Sequence, residues 1–244
     1  MTNKPVAVVT GAAGTIGRAI GNTLAVDFTV VGLDRNPSEA PFPILAADVV
    51  DRARIETAAR TIAAEHGEVQ LVVNNAGILT MNRFLDLTDD EWRRIFDVNV
   101  FGTFVVSQVF ARQMSTGGGG RIINVASIAG KTPLPNQAHY CASKAAVMML
   151  TRVMALELGH DKVRVFSICP GAVDTALFRA CLTWTADREQ RDPDDLLREW
   201  LQPSRIGRFV EPEEIAALVR YLASGPSDAL TGHAISIDGG IAQW

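Results

Sequence analysis

Short runs of β-branched and apolar residues alternate along the chain with longer stretches whose apolar positions recur at helical spacing. "PVAVVT" (5–10) opens the series, and a helical pattern follows from about Gly14 to Val26. "FTVVGLD" (28–34) and "FPILAAD" (42–48) read as the second and third strands, and "VQLVVNNAG" (69–77) as the fourth. "RIINVAS" (121–127), "KVRVFSICPG" (162–171) and "HAISIDGG" (233–240) complete seven. Further helical patterns cover 51–67, 88–114, 139–159 and 211–224. Thr88 is a good N-cap with acids after it, and Pro212 stands where a first turn tolerates it. "GGGG" (117–120) leads into a strand and not a helix, so it reads as a turn and not a phosphate loop. The alternation predicts βαβ units, and hence an α/β sandwich with a doubly wound, seven-stranded parallel sheet flanked by helices. No repeat or linker divides 1–244, which read as one domain. Residues 172–210 lack a strand pattern and carry many charges, which predicts a lid over a site.

Ligands of such sheets bind outside the carboxyl ends of the strands. Here those ends read "VVTGAAGTIG", "GLDR", "AADV", "VNNAG", "NVAS" and "ICPGAVDT", nearly all finishing on small or polar groups. A dinucleotide lying across the top of the sheet fits that pattern. Composition removes other classes. Hydrophobic residues at 48% and charged ones at 20% describe a folded globular chain. A formal net charge of −4 leaves no basic stripe for a nucleic acid. Cys141, Cys169 and Cys181 have no CxxC spacing and read as reduced thiols. The scattered His66, His139, His160 and His233 offer no metal site. "MTNKPVAVVTG" carries no leader, and Arg152 and Glu157 interrupt the longest apolar helical run. A cytoplasmic protein without a membrane span is expected.

The glycines after the first strand let the backbone turn and bring a helix N-terminus against a pyrophosphate, although steric needs alone explain many such turns. Asp34 ends the second strand, where a carboxylate accepts from both hydroxyls of a ribose and repels a 2′-phosphate. That favours NAD. Arg35 beside it keeps NADP open, and a solvated charge pair is the plain alternative. Tyr140 and Lys144 in "QAHYCASKAAVMML" (137–150) share one helical face. An ammonium and a nicotinamide cation nearby would lower a phenol pKa from about 10 to about 7, making Tyr140 a usable base. It would then exchange a proton with an alcohol oxygen that Ser127 also hydrogen-bonds. Taken alone, the pair reads equally as a snorkelling tyrosine and a solvated lysine.

Taken together, "TGAAGTIG", "NNAG" (74–77), Asn99 in "DVNVFG", Ser127 thirteen residues before Tyr140, "YCASK" and "PGAVDT" resemble the short-chain dehydrogenase/reductase superfamily, in its compact branch. The resemblance runs from residue 5 to Gly240. It implies a Rossmann-type fold, an NAD(P) cofactor and a small-molecule substrate. It implies catalytic roles for Ser127, Tyr140 and Lys144, with Asn99 holding a water for the proton relay and Lys144 also binding the nicotinamide ribose. For the cofactor it implies Gly11, Thr15, Ile16 and Gly17 around the pyrophosphate, Asp34 and Arg35 at the adenosine ribose, and Asp48 with Val49 at the adenine. Asn75, Ala76 and Gly77 would lie beneath it, and Pro170, Gly171, Val173 and Thr175 around the carboxamide. One position departs from the family's usual TGxxxGxG, since Thr15 stands where the middle glycine does and Gly14 precedes it. Its hydroxyl is expected to donate to phosphate.

The helices 88–114 and 139–159 carry more apolar residues than one core stripe needs. Phe96, Val100, Phe104, Val105 and Val109, with Val147, Met148, Leu150, Val153 and Met154, are expected to form an interface. The resemblance implies a homodimer, usually doubled to a homotetramer. Substrate choice is expected at 172–210, beside Leu79, Thr80, Met81 and 133–136; Phe178, Cys181, Leu182 and Trp184 offer an apolar wall. "AGILTMNRF" and "VDTALFRACLTW" resemble dehydrogenases of cyclic dihydrodiols. The leading expectation is an NAD-dependent oxidoreductase interconverting a secondary alcohol, cyclic ones included, and a ketone. An NADPH-dependent carbonyl reductase and a non-catalytic dinucleotide sensor or scaffold are the alternatives.

Overall fold

In the computed structural model, which describes residues 4–242, strand β1 (Val6–Thr10) sets the pattern for the sheet. It sends Val6 and Val8 into the core on one face and Ala7 and Val9 into the core on the other. A strand buried on both faces needs a parallel partner on each side and helices above and below. β2 (Thr29–Asp34), β3 (Ile44–Ala46), β4 (Val69–Asn74), β5 (Gly120–Val125), β6 (Val163–Pro170) and β7 (Ala234–Ile237) supply the sheet. All pairs are parallel, in the order β3-β2-β1-β4-β5-β6-β7. α1 (Thr15–Leu24) and α8 (Pro212–Leu222) cover one face through Ile20, Leu24, Ile215 and Val219. α2 (Arg52–His66), α4 (Thr103–Thr116) and α5 (Ala138–Leu158) cover the other. The chain runs outward from β1 in one direction and from β4 in the other, so the crevice of a doubly wound sheet opens between these two. The sheet expected from the sequence is the one observed.

Two segments differ in detail. The helix expected over 88–114 is three pieces: α3 (Asp89–Phe96), a π-helical turn over Asp97–Gly102, and α4. Thr88 starts it through a capping box with Glu91. The widened turn holds Asn99, 1% exposed, toward the end of the sheet, a common use of π turns. Residues 172–210 contain α6 (Ala176–Glu189) and α7 (Pro193–Leu201). These pack mainly on each other through Leu182, Ala186 and Leu196, with Leu197 and Trp200. Phe178 meets Trp200 and Phe209 edge-on at 5.6 and 5.1 Å.

The apolar residues expected at an interface divide into three groups. Phe96, Val100, Met148, Leu150 and Met154 are half-buried. Val105, Val109 and Val147 are core, because α4 and α5 press them against the sheet and its loops. Phe104 and Val153 are exposed, as are Phe101, Met149 and Leu156 nearby. One helical run, Asp89–Thr116, has the length and hydropathy of a membrane span, but it is built of three pieces and over half of its apolar window is buried within the fold.

Asn74, Asn124 and Ser167 occupy neighbouring register positions on β4, β5 and β6, all buried. Asn74 Nδ2 donates to Ser107 Oγ and Asn124 Oδ1, each at 2.8 Å, and Asn124 Nδ2 donates to Thr151 Oγ1 at 2.8 Å. This network joins α4 and α5 to the sheet beneath the crevice. Buried donors stripped of partners cost about 1–3 kcal/mol each. We therefore expect Asn124→Ala to lose about 3 kcal/mol in urea unfolding. A loss under about 0.5 kcal/mol would mean that the network is dispensable.

Candidate active site

The crevice is closed from below by side chains that tie β1 to β4. Thr10 Oγ1 accepts the N–H groups of Asn75 and Ala76, both at 3.0 Å. Asn75 Nδ2 donates back to the carbonyls of Thr10 and Gly11, at 3.0 and 3.1 Å. Gly11 adopts φ +62, and a Cβ there would meet Ala76 Cα at 2.9 Å. Only glycine suits that position. A Cβ on Gly17 would lie 2.2 Å from the Gly11 carbonyl oxygen, so α1 can approach the loop only with glycine there. Gly14 is different: its φ is −77 and the nearest atom to an added Cβ is 3.4 Å away. As N-cap it offers no side chain, leaving the first N–H groups of α1, near Thr15 and Ile16, without a side-chain cap. α2, α3, α6 and α7 are all capped by side chains. A bare helix start over a glycine turn is a ready cradle for a pyrophosphate, and these residues fit a dinucleotide.

Asp34 stands at the end of β2 with one carboxylate oxygen accepting from Ala13 N–H (3.0 Å) and the other from Asn36 N–H (2.9 Å). Each oxygen keeps a lone pair for a ribose hydroxyl. Arg35 is exposed beside it. The sequence reading missed Arg18, which bridges the Ala13 carbonyl (3.0 Å) and Ser38 Oγ (2.7 Å) and so links the glycine turn to the β2–β3 loop. Its only signal was its position after Gly17. Asp48 accepts from Val50 N–H and Val49 is buried behind it, forming the wall beyond β3. Pro170 and Val173 are buried, Gly171 packs against the Asp238 backbone, and Thr175 caps α6 by accepting from Phe178 N–H.

Ser127 ends the loop after β5 with its Oγ accepting from Ala129 N–H at 3.1 Å. It stands beside Tyr140 and favours the ionised phenol. Lys144, 5% exposed, donates to the Val125 carbonyl at 3.0 Å and lies 5.6 Å from the centre of the Tyr140 ring. Gly77 lies over both Lys144 and Asn99: a Cβ there would be 3.4 Å from Lys144 Nζ and 3.3 Å from Asn99 Oδ1. Asn99 has no idle amide group. It accepts from Ile78 N–H (2.9 Å) and donates to the Ile78 carbonyl (3.0 Å) and to Ser143 Oγ (3.1 Å). Its own carbonyl accepts from Thr103 at 2.7 Å. Ser143, which the sequence reading passed over, therefore orients Asn99, and Asn99 fixes the 76–78 turn.

The acid–base balance differs from expectation. Burial pushes the Tyr140 phenol up to about 12, and the Ser127 hydrogen bond offsets only part of that. Burial likewise pushes Lys144 down to about 8. The cost of taking the charged forms out of water dominates both shifts. Tyr140 is thus a proton donor at neutral pH, and the residues alone do not lower it toward 7.

A crevice that cradles a dinucleotide above a tyrosine able to pass a proton to a neighbouring oxygen defines a dinucleotide-dependent oxidoreductase. Residues 5–186 match the model for short chain dehydrogenases, and the chain belongs to that family. It is 36% identical over 248 residues to the D-threitol dehydrogenase of Mycolicibacterium smegmatis, spanning 96% of this chain and 92% of the relative. It is also 36% identical over 251 residues to a galactitol 2-dehydrogenase of Cereibacter sphaeroides, spanning 98% and 95%. Among solved structures, a variant of actinorhodin polyketide ketoreductase with NADPH superposes with a TM-score of 0.94, at 28% identity, covering 100% of this chain and 99% of that one.

Substitutions in the glycine turn test the cradle. We expect Gly17→Ala to abolish any stabilisation by NAD(H) or NADP(H) in thermal melts, because its methyl cannot avoid the Gly11 carbonyl. Gly14→Ala should keep it. Equal loss in both would show that the turn does not act through the Gly11–Gly17 contact.

Proposed function

We propose that the chain is an NAD-dependent dehydrogenase that interconverts a secondary alcohol and a ketone. The observation that carries this reading is Tyr140 in the first turn of α5, its ring centre 5.6 Å from the buried Lys144 ammonium and its phenol beside Ser127, at the carboxyl end of the sheet. Nicotinamide dinucleotide, when bound, supplies the hydride donor or acceptor. The protein's own residues manage the oxygen. In the reducing direction Tyr140 donates its proton to the carbonyl oxygen while Ser127 hydrogen-bonds it; in the oxidising direction Tyr140 takes the alcohol proton back. The Lys144 ammonium favours the phenolate whenever it forms. Asn99 holds the 76–78 turn against which these groups are aligned, and its role here is positioning rather than gripping a water through its amide.

Asp34 supports NAD over NADP, since a 2′-phosphate would meet a carboxylate that two backbone N–H groups hold in place. A ketoreductase with NADPH among the similar structures keeps NADPH as the second reading. Relatives named for threitol, galactitol, meso-2,3-butanediol and glycerol support a secondary alcohol, and levodione reductase supports cyclic ketones. α6 and α7, with their separate apolar cluster, act as the lid over the substrate. Phe101, Phe104, Met149, Val153 and Leu156 support a homodimer or homotetramer, and the free thiols of Cys141, Cys169 and Cys181 support a cytoplasmic setting.

Two measurements test the reading. NAD(H) should raise the melting temperature well above NADP(H) at equal concentration; a larger shift with NADP(H) would transfer the preference to Arg35. Tyr140→Phe should keep that shift yet lose about 10²–10⁴ in turnover, and equal turnover would remove the mechanism. The wild-type pH profile follows from the shifts. Tyr140 keeps its proton up to about 12, while the proton lost near 8 is that of Lys144 and makes no phenolate, so alcohol oxidation should climb with pH without levelling by about pH 9. Ketone reduction should hold level below about pH 8, because Tyr140 still has a proton to give. An oxidation profile that levels off at about pH 8 would contradict this.

A further inference from the structure

Among the described residues, five buried side-chain polar atoms lack a protein partner, and two belong to the turn that carries Tyr140: Gln137 Oε1 and His139 Nδ1. Gln137 is 9% exposed and stands three residues before Tyr140 and seven before Lys144, the spacing of one helical stripe. As the N-cap of α5 it makes no side-chain cap bond. Its Nε2 touches Met81 Sδ at 3.3 Å, and a thioether is a weak acceptor. The loop bearing Met81 is stitched to the same turn. Thr80 Oγ1 meets His139 Nε2 at 2.7 Å, and Asn82 N–H donates to the Asn136 carbonyl at 2.9 Å. Asn136 itself is held at φ +61, a conformation uncommon for a side-chain-bearing residue.

The amide is therefore locked, with one end on a sulfur and the other on nothing. Turning it end over end only exchanges the carbonyl for the NH2, so one hydrogen-bonding end stays idle in either setting. A buried polar group left unpaired is destabilising, and an apolar side chain of the same length would avoid the penalty. Gln137 stands one residue before α5 begins, so its side chain and that of Tyr140 leave the same first turn. A hydroxyl can satisfy either end of an amide, since it both donates and accepts.

We propose that Gln137 is a substrate-recognition residue whose idle amide end pairs with a second hydroxyl next to the reacting one. The preferred substrates are then diols and their hydroxy ketones rather than simple alcohols. This rests on the alcohol–ketone reading of the Tyr140 site and adds a chemical class to it.

The test compares matched pairs: 2,3-pentanediol against 2-pentanol, and 1,2-cyclohexanediol against cyclohexanol, with wild type, Gln137→Met and Gln137→Glu. The wild type should favour the diol of at least one pair by about tenfold or more in kcat/KM. Gln137→Met should lower the diol value about 10- to 100-fold, mostly through KM, while moving the simple alcohol far less. Gln137→Glu, which keeps an acceptor, should retain part of the preference. In thermal melts Gln137→Met should be as stable as wild type or more so. Equal wild-type values for diol and alcohol, a parallel loss for both in Gln137→Met, or a melting point several degrees lower would each overturn the assignment, the last by making the amide structural. No turnover of any of the four compounds would overturn the alcohol–ketone reading itself, a separate failure that takes this inference with it.

Discussion

Everything above the sheet depends on the clamp between the ends of β1 and β4. Two parallel strands that diverge at a switch point expose backbone N–H and carbonyl groups just where water must be kept out of order. Thr10 and Asn75 answer that need by satisfying one another's backbone, with one hydroxyl taking two N–H groups and one amide giving to two carbonyls. Because these groups are already paired, the glycine turn can arch over them without its own side chains. The bare start of α1 then faces outward, available to an anion. The phosphate cradle is thus a consequence of how the strand ends are closed.

The same economy governs the acid–base residues. Tyr140 and Lys144 come from one helix, but what sets their protonation is depth rather than proximity. Buried side by side, both move toward their neutral forms, the phenol upward and the amine downward. Near neutral pH the phenol therefore keeps its proton, available to a substrate oxygen, and the pair carries a single charge rather than two. The support is indirect: Ser143 orients Asn99, Asn99 grips Ile78, and the Gly77 turn brings the lysine and the asparagine together. Removing any one of these would loosen the site without touching a reacting atom.

The molecule also has two degrees of fixity. The sheet and its five covering helices share two continuous apolar layers, which leave little room to move. α6 and α7 hold to each other through a cluster of their own, and their ties to the rest include exposed ion pairs such as Arg188 with Asp86 at 3.3 Å. Exposed pairs of this kind contribute little. An element so attached can shift over a ligand while the groups beneath it stay in register.

What the linear sequence determined by itself was the sheet, the helices that cover it and the candidate site. Strand and helix follow from periods of two and 3.6, which are local, and the site motifs fall at strand ends, where a parallel sheet must bind its ligand. Gly11, Asp34 and Ser127 stood out as candidates for that reason, and Tyr140 and Lys144 because four residues apart on a helix share one face. Tertiary structure decided what depends on surroundings. Val105, Val109 and Val147 went to the core, although nothing in their type separates them from the exposed Phe104 and Val153. Asn99 turned inward because the helix widens by one residue, a change no spacing rule foresees. The direction of the Tyr140 shift reversed because desolvation depends on every atom packed around the ring, whereas a motif records only which charge is near.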